Sequence, residues 1–204
     1  APTQAPDSSP PGSKPPGSDG NSSSFYGLAI RAYVGEFPVA GGIIINGTES
    51  KKVMIRVKGP SMNLSGSKLS DPKISITKQN SEGVYEAFLD SDDFGDHSSA
   101  TTYPSYSTGN SKEPAVVVDM APGTYGVRVE DAGGSAGNAN VEFYEVDGDT
   151  STSRFYGLAI RAYVAEFPVA GGIIISGTES KKVMIRVKGP SMNFSGSKLS
   201  DPKI

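Results

Sequence analysis

Four carboxylates stand within seven residues in the segment Asp90-Ser-Asp-Asp-Phe-Gly-Asp96. Asp90, Asp92, Asp93 and Asp96 flank a glycine that permits a tight turn, and Ca²⁺ takes roughly six to eight oxygen ligands. The spacing is not that of an EF-hand, which needs ligands at alternate positions and a closing glutamate. The segment therefore predicts either a calcium site or a solvated acidic loop, and it indicates no other cofactor.

Two tyrosines, Tyr103 and Tyr106, follow in the long polar stretch 97–114. Aromatic rings in a surface loop are typical of platforms on which carbohydrate-binding modules stack a sugar. Aromatic side chains also pin long loops to the body of a domain. Both interpretations are open here, a site for cell-surface glycans or an anchored loop.

The composition excludes most enzymatic chemistry. The 204 residues include no Cys and one His, His97, which excludes thiolate nucleophiles, disulfides, Cys-ligated metals and multi-His sites. The net charge of −3 argues against non-specific nucleic-acid binding. No apolar run approaches the roughly 20 residues that span a bilayer. A hydrolase would rest only on the number of carboxylates, so we expect a protein that is not an enzyme, with no nucleic-acid partner and no membrane span.

The elements that would position these residues are β-strands. From Tyr26 to Val34 apolar residues recur at alternate positions, the period of a half-buried strand, and no capped helical period occurs. Gly- and Pro-containing turns separate the predicted strands. These are Tyr26–Val34, Gly42–Asn46, Val53–Lys58, Ile74–Lys78, Val84–Leu89, Ala115–Met120, Thr124–Glu130 and Val141–Val146. The pattern predicts an all-β fold, an antiparallel β-sandwich that is Ig-like or jelly-roll-like.

A long internal repeat organises the chain. Residues 25–74, called the first half below, recur at 155–204, called the copy, with only Gly35, Asn46 and Leu64 replaced, by Ala, Ser and Phe. The period of 130 residues matches one domain. We therefore expect a complete sandwich repeat at 25–154 and a partial second repeat at 155–204, with the same strands as 25–74. Residues 75–154 are called the second half.

The segment 1–24 contains six Pro and seven Ser and almost no large apolar residue. Such a composition cannot offset its ordering entropy by burial, so it predicts a flexible linker or a mature N-terminal tail. A start at Ala1 without Met is typical of a chain cut by signal peptidase, which favours an extracellular location.

Charge is divided between the halves. The first half and the copy each carry +4, whereas the second half carries −10. Opposite charges favour pairing of a basic with an acidic segment, within one chain or between chains, while exposed charges also simply solubilise a surface. The near-identity of the first half and the copy leaves both pairings open.

The apolar faces of the copy have no second half of their own to cover them. Open strand edges and apolar faces are a template for another chain, and strand exchange through them would give head-to-tail growth. A tandem array of repeats would satisfy them equally. The candidate residues for pairing between subunits or repeats are Tyr156, Leu158, Ile160, Ala162, Val164, Val183, Ile185 and Val187.

Three short motifs resemble a known family. Val53-Met-Ile-Arg-Val-Lys-Gly-Pro-Ser-Met62 followed by Leu69-Ser-Asp-Pro-Lys-Ile-Ser-Ile76 resembles the V-L-I-R-A-x-G-P-S-L and L-x-D-P-x-L-x-L blocks of a repeat domain. That domain occurs in large predicted secreted proteins of environmental bacteria, and Pro122-Gly-Thr-Tyr-Gly-Val-Arg-Val129 is similar to its P-G-x-Y strand. The resemblance implies an extracellular Ig-like sandwich in tandem arrays and no catalytic residues. Lys58 and Met62 depart from the family pattern.

These observations favour a secreted structural protein. Its β-sandwich repeats would self-associate into a homopolymer, by tandem array or by strand exchange through 155–204, and form an extracellular filament or surface fibre. The alternative is a carbohydrate- or surface-binding, adhesin-like module attached to a larger protein.

Overall fold

The computed structural model describes residues 23–147, 151–164 and 168–204. The predicted N-terminal linker therefore lies outside the described residues, apart from Ser23 and Ser24. The strands are β1 (Ser24–Val34), β2 (Val39–Asn46), β3 (Lys51–Lys58), β4 (Pro72–Gln79), β5 (Tyr85–Ser91), β6 (Ala115–Met120), β7 (Gly123–Asp131), β8 (Gly137–Glu145), β9 (Arg154–Arg161) and β10 (Ala170–Ser176).

Helical structure is limited to α1 (Ser98–Thr101) and a 3₁₀ turn at Pro104–Tyr106, within the described ranges. Neither segment approaches the length of a bilayer span, and the described residues contain no helix that is long and apolar enough to cross a membrane. These short segments agree with the lack of a capped helical period in the sequence.

The ten strands of the described residues form two antiparallel sheets of five strands each. The first sheet has the order β10-β1-β8-β3-β6 and the second has the order β5-β4-β7-β2-β9. The predicted all-β sandwich is confirmed. All eight strands predicted within 25–154 are present. The strand at Ala115–Met120 has the predicted bounds and the others have shifted ends; β8, for example, begins at Gly137 instead of Val141.

The core lies between the two sheets. In β4 and β7 every second side chain is buried, as the alternating pattern requires, with Ile74, Ile76 and Val127 among the buried residues. A second apolar cluster covers the outer face of the first sheet, which buries β3 and β8 on both sides. It consists of Tyr26, Met54, Tyr106, Val117 and Tyr144.

Ion pairs join the basic first half to the acidic second half within this chain. The Lys51 ammonium lies 3.2 Å from Glu145 and 2.9 Å from Asp147. The Arg56 guanidinium pairs with Glu142, and both side chains are almost fully buried. Because a buried charge without its partner is costly, these pairs make the position of β3 beside β8 specific.

Candidate self-association site

The two strands of the copy extend both sheets of the first repeat. β9 pairs with β2 at the edge of the second sheet, and β10 pairs with β1 at the edge of the first. Phe155 is buried in the main core. Leu158, Ile160 and Ala162 are partly buried and pack against this core. The copy is therefore bound to the first half by two backbone ladders and by apolar contact.

The register of the two ladders is reciprocal. Leu28 stands opposite Ile173 in one ladder, and Ile43 stands opposite Leu158 in the other. Since 158 is the repeat equivalent of 28 and 173 is the equivalent of 43, both ladders contain the same contact. The first half and the copy are thus related by an approximate two-fold axis, as in an isologous interface.

Tyr33 and Tyr163 mark the position of that axis. These residues occupy equivalent positions in the repeat and form an antiparallel β-bridge with each other. A residue can face its own equivalent only where the two-fold axis passes. Both tyrosine side chains are exposed, so this contact is accessible to chemical probes.

Matching serine contacts close the two ends of the interface. Ser23 Oγ donates to the Glu179 carbonyl at 2.5 Å and accepts from the Glu179 N–H at 2.9 Å. Ser153 Oγ makes the same pair of bonds with Glu49, at 2.6 and 3.1 Å. Gly47 lies two residues before Glu49 and has a φ of 143°, a backbone conformation that favours glycine. The interface is thus closed by hydrogen bonds that repeat around the axis.

The candidate pairing residues of the copy fall into different environments. Leu158, Ile160 and Ala162 face the core of the first repeat and are half-buried. Tyr156 is 74% exposed and Val164 is 39% exposed. The candidate set omitted β10, although its Gly-Gly-Ile-Ile-Ile segment repeats the apolar run of β2, which was the available signal.

The third strand expected in the copy is not formed. Residues 181–188 have the same sequence as β3, yet they have no strand structure and all eight are exposed. Val183, Ile185 and Val187, predicted to pair, are 37%, 59% and 46% exposed. The expectation that the copy has the strands of the first half is therefore wrong here, because β3 owes its ladders to β6 and β8 of the second half.

Glu145 connects the first repeat to the copy. Its carboxylate accepts a hydrogen bond from the Phe155 N–H at 3.3 Å and lies beside the Lys51 ammonium. Burial raises the pKa of Glu145 to about 7, although Lys51 and the Phe155 N–H favour the charged form. The folded protein therefore binds this proton more tightly than the unfolded chain does.

We expect Glu145→Gln to remove a pH dependence of stability. The raised pKa makes Glu145 stabilising below its ordinary pKa of 4.5, and this contribution is lost as the pH rises to about 7. The free energy of unfolding of the wild type, minus that of the variant, should fall over this window by at most about 1.4 kcal/mol per pH unit. Urea denaturation between pH 4 and 8 measures it, with the exposed Glu82→Gln as control. A difference that is flat across the window would contradict the raised pKa.

Tyr103 and Tyr106 lie together on the outer face of the first sheet. Their ring centroids are 6.1 Å apart, and the Tyr106 hydroxyl is 3.2 Å from that of Tyr26. Tyr106 is buried, with its ring 6.0 Å from that of Tyr144. The Arg56 guanidinium donates to the Tyr106 carbonyl at 2.6 Å. In this arrangement Tyr106 anchors the loop 97–114 to the sheet.

The acidic loop is organised around the Asp96 carboxylate. Asp96 Oδ2 accepts hydrogen bonds from the backbone N–H groups of Asp92 and Asp93, at 2.7 and 2.9 Å. These bonds hold the pKa of Asp96 below its usual value. The Asp90 carbonyl contacts the ring of His97 at 2.7 Å. Among the described residues no group of three or more His, Cys, Asp or Glu side chains could hold a metal ion.

Comparison of the chain with protein-family models, with curated proteins and with solved structures finds no match.

Proposed function

We propose that this chain is a secreted structural protein whose repeats assemble into an extracellular filament or surface fibre, without enzymatic activity. The observation that supports it is the reciprocal register of β1 with β10 and of β2 with β9. A surface that pairs with its own repeat equivalent is self-complementary, and this chain carries it twice.

Two self-complementary surfaces make the chain bivalent. When the copy pairs with the first half of the same chain, both surfaces are used and the molecule is closed. When the copy pairs instead with the first half of a neighbour, each chain keeps one surface for a further neighbour. Growth then continues head to tail even though each single interface is two-fold.

The extracellular setting belongs to the same proposal. It draws on the resemblance of the three sequence motifs to secreted repeat domains. The burial of Tyr106 gives no specific support to the glycan-binding alternative.

Cysteine probes on the two-fold axis test exchange between chains. The chain has no Cys, so Tyr33→Cys in one sample and Tyr163→Cys in another each introduce a single thiol. Opposed residues in antiparallel strands lie within reach of a disulfide. After unfolding and joint refolding at rising concentration, we expect disulfide-linked pairs of the two variants. Electron microscopy of wild-type chain refolded alongside should show filaments.

Two controls make the result interpretable. Tyr33→Cys mixed with Ser195→Cys, an exposed position outside the pairing, measures random collision. The double variant Tyr33→Cys/Tyr163→Cys, oxidised at low concentration, should lock the closed chain and abolish filaments. Mixed disulfides no more frequent than in the collision control, together with the absence of filaments at every concentration, would refute the proposal.

A further inference from the structure

One sequence adopts two states in this molecule. Residues 51–58 and 181–188 are identical, Lys-Lys-Val-Met-Ile-Arg-Val-Lys. The first forms β3, in which Ile55 and Met54 are fully buried, whereas the second is exposed and forms no strand. Local preference is the same in both, so the difference lies in what each segment contacts.

Two strands distinguish the two environments, β6 and β8, and β8 is the one that also pairs with β1. In the first repeat β8 lies between β1 and β3 and pairs with both. β9 has the sequence of β1 over 155–161, and among the described residues it pairs only with β2. The edge of β9 that corresponds to the β8-facing edge of β1 is therefore unpaired among the described residues. Residues 181–188, which correspond to β3, likewise have no strand in the position of β8.

The turn that follows 181–188 already has its native geometry. The Met192 N–H donates to the Gly189 carbonyl at 3.1 Å, as the Met62 N–H does to Gly59 in the first half. Gly189 also packs against the Leu199 backbone in the way Gly59 packs against Leu69. The copy thus retains the turn that follows the position of β3. Among the described residues it lacks a strand equivalent to β8.

Charge favours an acidic strand as that neighbour. In the first repeat Arg56 pairs with Glu142, and Lys51 pairs with Glu145. The equivalent cations of the copy, Arg186 and Lys181, are exposed. An incoming strand with carboxylates at these two positions would gain both pairs.

We propose that β9 and 181–188 together form a binding site for strand β8 of another copy of this repeat, one whose β8 is not already paired with its own β1 and β3. The incoming strand adopts the register that β8 has between β1 and β3. Its Phe143 then stands opposite Leu158 on one side and Ile185 on the other, with Glu142 beside Arg186. Main-chain ladders provide the affinity, while the apolar face and the two carboxylates provide the register. The inference rests on the proposed function, because it names the partner that extends the assembly.

A synthetic peptide tests the site on the full chain. The probe has the sequence of residues 137–147, and the matched control carries Glu142→Lys and Glu145→Lys in the same peptide. We expect one wild-type peptide to bind per chain and to slow hydrogen exchange of the backbone amides in β9 and 181–188. The control peptide should bind at least about tenfold more weakly, since both ion pairs become repulsive.

Chain variants locate the binding. Ile185→Asp, in a segment that is exposed in the free chain, should abolish peptide binding, whereas Ile204→Asp, at a position that is 87% exposed, should not. Protection confined to β1 and β3, equal binding of both peptides, or no binding would each overturn the inference. The mixed disulfides at 33 and 163 do not involve 181–188. If they form while the peptide fails to bind, the proposed function stands and this site does not.

Discussion

Ile55→Ala is expected to lower the free energy of unfolding by about 2–5 kcal/mol, and Ile185→Ala to change it by less than about 0.5 kcal/mol. The two residues occupy the same place in an identical octapeptide. Ile55 is fully buried in the core, so truncation loses transfer free energy and leaves a cavity. Ile185 is 59% exposed, and its side chain already lies largely in water.

Urea denaturation followed by circular dichroism measures both variants against the wild type. The midpoint should fall for Ile55→Ala at an unchanged m-value, which would show that stability and not compactness has changed. Because the substitution, the flanking sequence and the helix or strand preference are the same, each variant controls for the other. Equal losses would contradict the difference in burial between 51–58 and 181–188.

Arg56→Ala is expected to cost about 3–5 kcal/mol, whereas Arg186→Ala should be close to neutral. Arg56 Nε donates to Glu142 at 2.9 Å, and the Glu142 side chain is 1% exposed. Removing the guanidinium leaves a buried carboxylate without its cation. Burial already raises the pKa of Glu142 despite Arg56, and loss of Arg56 removes the main opposing charge.

The pH dependence of this loss provides a further check. A carboxylate whose pKa is raised in the folded state stabilises at low pH and loses that contribution as the pH rises. The destabilisation of Arg56→Ala should therefore be smaller at pH 5 than at pH 8. The double variant Arg56→Met/Glu142→Leu should recover part of the loss, since no charge is then buried. A loss independent of pH, with no recovery in the double variant, would show that the ion pair is not its cause.

Much of the fold could be predicted from local sequence. Alternation located the strand from Tyr26 to Val34, and turn residues separated the eight strands of the first repeat, because side-chain period and turn chemistry are local properties. The start of β8 was misplaced. This strand begins at Gly137, directly after a Gly-rich segment. Its first residue is placed in the sheet by pairing with Val34 of β1.

The candidate pairing residues were harder to predict. The repeat itself drew attention to Leu158, Ile160 and Ala162, which face the core of the first repeat. It did not indicate that β10 would pair with β1, because each partner in a ladder is chosen by contacts far apart in sequence. Tyr106 shows the same limit: its type and loop position suit both a binding platform and an anchor, and only its burial against Tyr144 distinguishes them.

The sequence alone determined that the chain is β-rich, that it contains a near-identical duplicated segment, and that basic and acidic halves alternate. Only the tertiary structure decided which of the two identical segments pairs with neighbouring strands and is buried. Residues 51–58 and 181–188 have the same side chains and the same intrinsic preferences, yet one is a buried strand and the other an exposed segment. A β-strand satisfies its backbone hydrogen bonds through neighbouring strands, so its formation depends on β6 and β8 being beside it.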